Sequence, residues 1–133
     1  AADHVAPITF MGEAQQTAWR EIRNGRTGPV RVVYAEVNWG RIESWHPNPG
    51  PFYEVGALFD VGVYPLTLVT TFFGPARRVT AFGTVLYPDR VTREGAPFHI
   101  TTPDWVTAAV ELANGCVPTS YSAARRPSSR SWR

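Results

Sequence analysis

Residues 12–24 (GEAQQTAWREIRN) set Ala14, Ala18, Trp19 and Ile22 at helical spacing, with Gln15, Gln16, Arg20 and Arg23 between them. That period predicts an amphipathic helix with its Ala/Trp/Ile side turned inward. Gly25 falls just past its end, and Gly28-Pro29 forbids continuation. Residues 30–38 (VRVVYAEVN) are β-branched and partly alternating, which predicts a strand. Residues 57–73 (ALFDVGVYPLTLVTTFF) are mostly apolar and stop at Gly74-Pro75, so a second helix is expected there. Pro65 has no N–H to give, and the helix should kink or restart near residues 61–64.

Alternation returns in 77–87, where Val79, Ala81 and Val85 interleave with Thr80, Phe82 and Thr84. It returns again in 104–113, with Val106, Ala108, Val110 and Leu112 on one face. Asn114-Gly115 is a strong hairpin signal, and 116–123 is the expected returning strand. Two stretches lack a period. Residues 88–101 read as a polar excursion, and 39–56 as a long loop with Pro47, Pro49 and Pro51. The second also carries Trp39, Trp45, Phe52 and Tyr53, so its rings either pin it to the core or serve a ligand. The order predicts an α+β, two-layer fold: an open, mostly antiparallel β-sheet with two helices packed on one face. The other sheet face is mixed in polarity and suits a contact between copies of the chain, a homo-oligomer.

A chain of 133 residues makes about one domain, and 44% hydrophobic with 18% charged residues excludes a disordered tract. The charge is unevenly placed. All thirteen basic residues are Arg, and Arg125, Arg126, Arg130 and Arg133 fall in the last nine positions. Residues 1–124 hold nine Arg against eleven acids, a net of −2. We therefore expect one domain over 1–124 and a disordered Arg/Ser-rich tail over 125–133, with no basic face for nucleic acid. Without Lys, the chain offers no Schiff base and no P-loop lysine. Cys116 alone makes no internal disulfide, and it reads as a small apolar residue of a protein in a reducing, cytoplasmic setting. No apolar run nears the ~20 residues that span a bilayer, and the start lacks a signal-peptide pattern. His4, His46 and His99 are too scattered for metal spacing, so no metal is expected.

Asp60 and Tyr64 are i and i+4 among apolar neighbours. An unpaired carboxylate is costly to bury, so Asp60 needs a reason. It is either stabilised by free N–H groups at a helix start, or it acts with the Tyr64 phenol on a substrate hydroxyl. Trp39, Trp45, Tyr53 and His46 are candidates for a platform that stacks a sugar ring, and Arg41 for a polar substrate contact. Glu43 or Glu54 paired with Asp60 is the arrangement a carboxylate hydrolase would need.

Residues 44–83 (SWHPNPGPFYEVGALFDVGVYPLTLVTTFFGPARRVTAFG) resemble the substrate domain of the glucose–fructose oxidoreductase / inositol dehydrogenase / MocA family. That family has a glycine-rich turn followed by a D-x-G-x-[H/Y] helix, which Asp60, Gly62 and Tyr64 match in spacing and type. Residues 6–30 resemble the same family's P-x-T-F turn, helix and strand entry, and the likeness runs over roughly 6–121. The resemblance implies the substrate-binding and oligomerisation part of an NAD(P)-dependent oxidoreductase acting on a sugar, polyol or related hydroxy compound. It makes Asp60 and Tyr64 the catalytic pair, Asp60 holding the reacting hydroxyl and Tyr64 serving as proton donor or acceptor. The alternative is a non-catalytic sugar-binding or oligomerisation module. Three departures are visible. Val55-Gly56 stands for paired glycines. The dinucleotide-binding half and its lysine are missing, so no NAD or NADP should bind this chain alone. The Arg/Ser/Pro-rich end suggests truncation.

Overall fold

A computed structural model of the chain describes residues 9–115 and 117–125, with side chains for 9–38 and 40–115. After a 3₁₀ turn at Thr9–Met11 comes helix α1 (Glu13–Arg23), then strand β1 (Val32–Trp39). A second 3₁₀ turn, Ile42–Ser44, leads to α2 (Gly50–Ala57), a π turn (Leu58–Gly62) and α3 (Val63–Phe73). Strands β2 (Ala76–Thr84), β3 (Asp89–Val91), β4 (Pro97–His99), β5 (Trp105–Leu112) and β6 (Val117–Arg125) complete the chain. The main sheet has the order β1-β6-β5-β2, and β3 and β4 form a separate hairpin. The expected α+β fold with helices on one sheet face is present.

The pairing refines that expectation. β5 is antiparallel to both β2 and β6, but β1 and β6 run parallel. The last strand thus inserts between the first and the fifth, and β1 and β2 form the edges. Asn114-Gly115 makes the expected β5–β6 turn, with Gly115 at φ +81° and its N–H on the Leu112 carbonyl at 3.0 Å. Cys116, His4 and residues 126–133 lie outside the described residues, and so does the expected tail beyond Arg125. β6 runs to Arg125, one residue past the boundary read from the sequence.

Three clusters make the core. Val69 and Phe73 of α3 pack on Val110 and Leu112 of β5, with Ile22 and Val33 at the margin. Ala57 and Val61 meet Val37 and Ala108. Ile42, Tyr53 and Ile100 gather with Phe52, Val85 and Phe98 under the β3–β4 hairpin. Fully burying a side chain such as Leu112 contributes about 1.5–3 kcal/mol. On α1 the buried side is rotated from the one expected: Ala14 and Ala18 are exposed, while Gln15, Gln16, Trp19 and Ile22 are half-buried. Trp19 stacks on Phe72, and Gln16 donates to the Phe10 carbonyl, which draws that side of the helix inward.

The long loop expected over 39–56 is instead a short loop followed by a helix that starts at Gly50. Pro51 lies in the first turn of α2, where its missing N–H leaves no bond unmade. α2 is then broken at Gly56 (φ +80°, ψ +162°), a conformation essentially confined to glycine. The Pro65 restart takes the form of the π turn that precedes α3. Joined in this way, Gly50–Phe73 is 24 residues and by length and composition apolar enough to cross a membrane, which the broken apolar runs of the sequence do not lead us to expect. Its apolar side is the one that packs on the sheet through Ala57, Val61, Val69 and Phe73.

Candidate substrate site

Asp60 sits in the π turn and Tyr64 on the first turn of α3. Asp60 is half-buried and Tyr64 is 41% exposed. Single π turns inside helices recur at functional sites because the extra residue re-aims side chains. Here the two side chains line one cavity of about 110 Å³ with Trp45, Phe52 and Val61. The carboxylate supplies acceptors and the phenol supplies a donor and an acceptor, while the rings give an apolar wall. That combination suits a compound with hydroxyls along one edge and C–H groups on its face. The Thr9 hydroxyl reaches the Tyr64 carbonyl at 3.4 Å, so the segment leading into α1 passes beside this helix turn.

The aromatic segment divides. Trp45, His46 and Phe52 form an edge-to-face cluster, with ring centroids 5.6 Å apart for Trp45–His46, 6.1 Å for Trp45–Phe52 and 4.8 Å for His46–Phe52. Trp45 and Phe52 face the cavity. His46 Nδ1 lies 2.8 Å from the Asn48 carbonyl and 3.1 Å from its N–H, so that ring turns back on its own loop. Phe52 and Val61 line the cavity without being among the site residues expected from the sequence. The signal for Phe52 is the aromatic content of 39–56, while Val61 is one of many apolar positions in 57–73 and carries no mark of its own. Trp39 closes β1, and its side chain lies outside those described.

Tyr53 and Arg41 go elsewhere. Tyr53 is 3% exposed, and its hydroxyl donates to Glu43. Arg41 donates to Glu43 through Nε at 2.9 Å and lines a different cavity of about 210 Å³ with Tyr87, Asp89 and Arg90. Glu43 is 1% exposed. Burial pushes its carboxyl up, but donation from Tyr53, its own N–H and Arg41, with the nearby Arg90 charge, outweighs this and holds it below the ordinary carboxylate value. Glu54 lines a third cavity with His99 and Thr102. In the cavities formed by the described residues, Glu43 and Glu54 each line a different one from Asp60, so these cavities do not bring a hydrolase's carboxylate pair together.

A dinucleotide needs a glycine turn that lets its pyrophosphate approach a helix N-terminus. The turn at Gly56 does precede a helix, but a Cβ there would meet Thr102 Cγ2 at 2.5 Å, so the chain itself fills that approach. The Gly25 and Gly28 turns lead into a strand. None of these three turns offers a pyrophosphate an open helix N-terminus.

A family model for the GFO/IDH/MocA C-terminal domain matches residues 15–132. The chain belongs to the GFO/IDH/MocA family. Among solved structures, an NAD-binding oxidoreductase from Klebsiella pneumoniae superposes with a TM-score of 0.73 at 21% identity, covering 91% of this chain and 33% of its own. Levoglucosan dehydrogenase in complex with NADH and L-sorbose gives 0.70 at 22% identity, covering 88% and 33%. The WlbA dehydrogenase from Bordetella pertussis, in complex with NADH and UDP-GlcNAcA, gives 0.64 at 20% identity, covering 90% and 34%. These likenesses show the fold. The chain spans about a third of the length of these proteins. No curated protein matches it.

Proposed function

We propose that this GFO/IDH/MocA domain is the substrate-binding and oligomerisation part of an NAD(P)-dependent oxidoreductase acting on a sugar, polyol or related hydroxy compound. The observation that carries this reading is the convergence of Asp60, Tyr64, Trp45 and Phe52 on one small cavity. Asp60 accepts a hydrogen bond from the reacting hydroxyl and fixes its direction. Tyr64 takes or returns the proton at that oxygen. Trp45 and Phe52 cover the apolar face of the ring and exclude water from it. The dinucleotide belongs to a separate domain. Complexes of fold neighbours with NADH and with L-sorbose or UDP-GlcNAcA support both the cofactor and the substrate class.

The alternative, a non-catalytic sugar-binding or oligomerisation module, draws on the open sheet face. Tyr34 is 76% and Phe82 62% exposed there, and Phe82 meets Trp105 edge-on at 6.0 Å. Exposed rings of this size suit a second copy of the chain. The test is to assay the complete enzyme for NAD(P)H formation from levoglucosan and a polyol panel, and to titrate this chain alone with NADH. Turnover by the complete enzyme, with no saturable nicotinamide fluorescence for the chain alone, supports the reading. A complete enzyme without turnover on any hydroxy compound supports the module instead.

A further inference from the structure

Beside the substrate cavity lies a second group of polar side chains that the proposed chemistry does not use. Glu43, Arg90 and Asp104 are 1%, 6% and 2% exposed. Arg90 on β3 donates through Nη1 to Glu43 at 3.2 Å and to the Tyr53 hydroxyl at 3.0 Å, and through Nη2 to Asp104. The other Asp104 oxygen accepts the Leu86 N–H at 2.7 Å. Arg90 Nε has no hydrogen-bond partner among the described residues, but the guanidinium lies over the Tyr53 ring at 4.4 Å, a cation–π contact that offsets part of its desolvation. With both oxygens engaged, Glu43 is poorly placed to exchange protons with a ligand. Its place in the chain indicates a different role.

Glu43 lies two residues before Trp45, and Tyr53 is the residue after Phe52. The Tyr53–Glu43 bond therefore closes a loop between residues ten positions apart. Trp45, His46 and Phe52 all lie within it, and Trp45 and Phe52 are the aromatic wall of the cavity. Trp45 is 51% exposed, so packing alone leaves its orientation weakly fixed. The anchors on the far side, Arg90 and Asp104, belong to the hairpin and to the segment before β5.

We propose that the buried Glu43–Tyr53–Arg90–Asp104 network positions Trp45 and Phe52 as the wall of the substrate cavity. Glu43 and Tyr53 are positioning residues, acting on a ligand only through their chain neighbours. The assignment of that wall to substrate rests on the function proposed above.

The test uses this chain labelled with 5-fluorotryptophan, with the Trp45 ¹⁹F resonance assigned by its loss in Trp45→Phe. Tyr53→Phe removes one hydroxyl at nearly constant volume. The expected result is a shifted or broadened Trp45 resonance, with those of Trp19, stacked on Phe72, and Trp105, on the sheet, unmoved. Glu43→Gln, which can still accept from Tyr53, should move Trp45 in the same direction by less, and it serves if Tyr53→Phe fails to fold. An unmoved Trp45 in either folded variant overturns the proposal, as does a collapse of all Trp resonances together in both, which marks a general staple. In the complete enzyme, Tyr53→Phe should raise the substrate KM by roughly three- to tenfold, the range one net hydrogen bond spans, with kcat little changed. A shifted Trp45 in a complete enzyme that turns over no hydroxy compound overturns the substrate reading and leaves the positioning role standing.

Discussion

Glu43 and Asp60 are seventeen positions apart on one segment, and the fold surrounds them in opposite ways. Glu43 accepts from Tyr53, Arg41 and Arg90 and is 1% exposed. Asp60 is half-buried at the lip of a small cavity, opposite a phenol and two rings. A carboxylate saturated with donors holds a structure in place, while one at a cavity lip stays within reach of a ligand. Carboxylates in an aromatic stretch therefore cannot be sorted by residue type. Their role follows from what each faces, a closed side-chain network for Glu43 and a cavity for Asp60.

The largest way to break this contrast is Arg90→Ala. It leaves Glu43 and Asp104 buried without their shared cation and should cost about 3–5 kcal/mol of unfolding free energy in urea titration. Asp60→Asn should change stability by no more than about 1 kcal/mol. Equal losses for the two variants would erase the distinction. Gly56, which separates the two regions, sharpens it. Gly56→Ala meets Thr102 Cγ2 at 2.5 Å in a glycine-only conformation and should cost about 1–3 kcal/mol. Adding Thr102→Ser removes that methyl and should recover part of the loss.

Acid titration reads the Glu43 network directly. Because the folded state holds the Glu43 pKa below its unfolded value, this group's contribution is complete above the ordinary carboxylate range. It is lost as pH falls below that range through the folded pKa. Glu43→Gln should flatten the acid limb of the stability profile, and an unchanged slope would refute the assignment. The smallest effect on folding is expected on the open sheet face. Phe82→Glu should shift an oligomer toward monomer in sedimentation while changing monomer stability by about 0.5 kcal/mol or less.

Local signals carried α1, the two-part helix 50–73 from residue 57 onward, β2, β5 and the Asn114-Gly115 turn, because each depends on near neighbours. Asp60 and Tyr64, four positions apart, line the same cavity although Asp60 lies in the π turn and Tyr64 in α3. What the sequence hid is non-local. Arg90 meets Glu43 across 47 positions, and no period marks either. β3 and β4 have three residues each, too few to alternate, so their hairpin read as polar loop. Gly50 and Pro51 read as breakers, although a proline in a first helical turn breaks nothing. The parallel β1–β6 pairing joins the two ends of the domain and leaves no mark in either strand alone.

The most direct measurement is the kcat/KM of Asp60→Asn in the complete oxidoreductase, set against Glu54→Gln, whose carboxylate lines another cavity. Asp60→Asn should lower kcat/KM by about 10²–10⁴-fold with the circular dichroism spectrum unchanged, while Glu54→Gln stays near the parent. An Asp60→Asn enzyme as active as the parent would contradict the assignment of chemistry to this cavity.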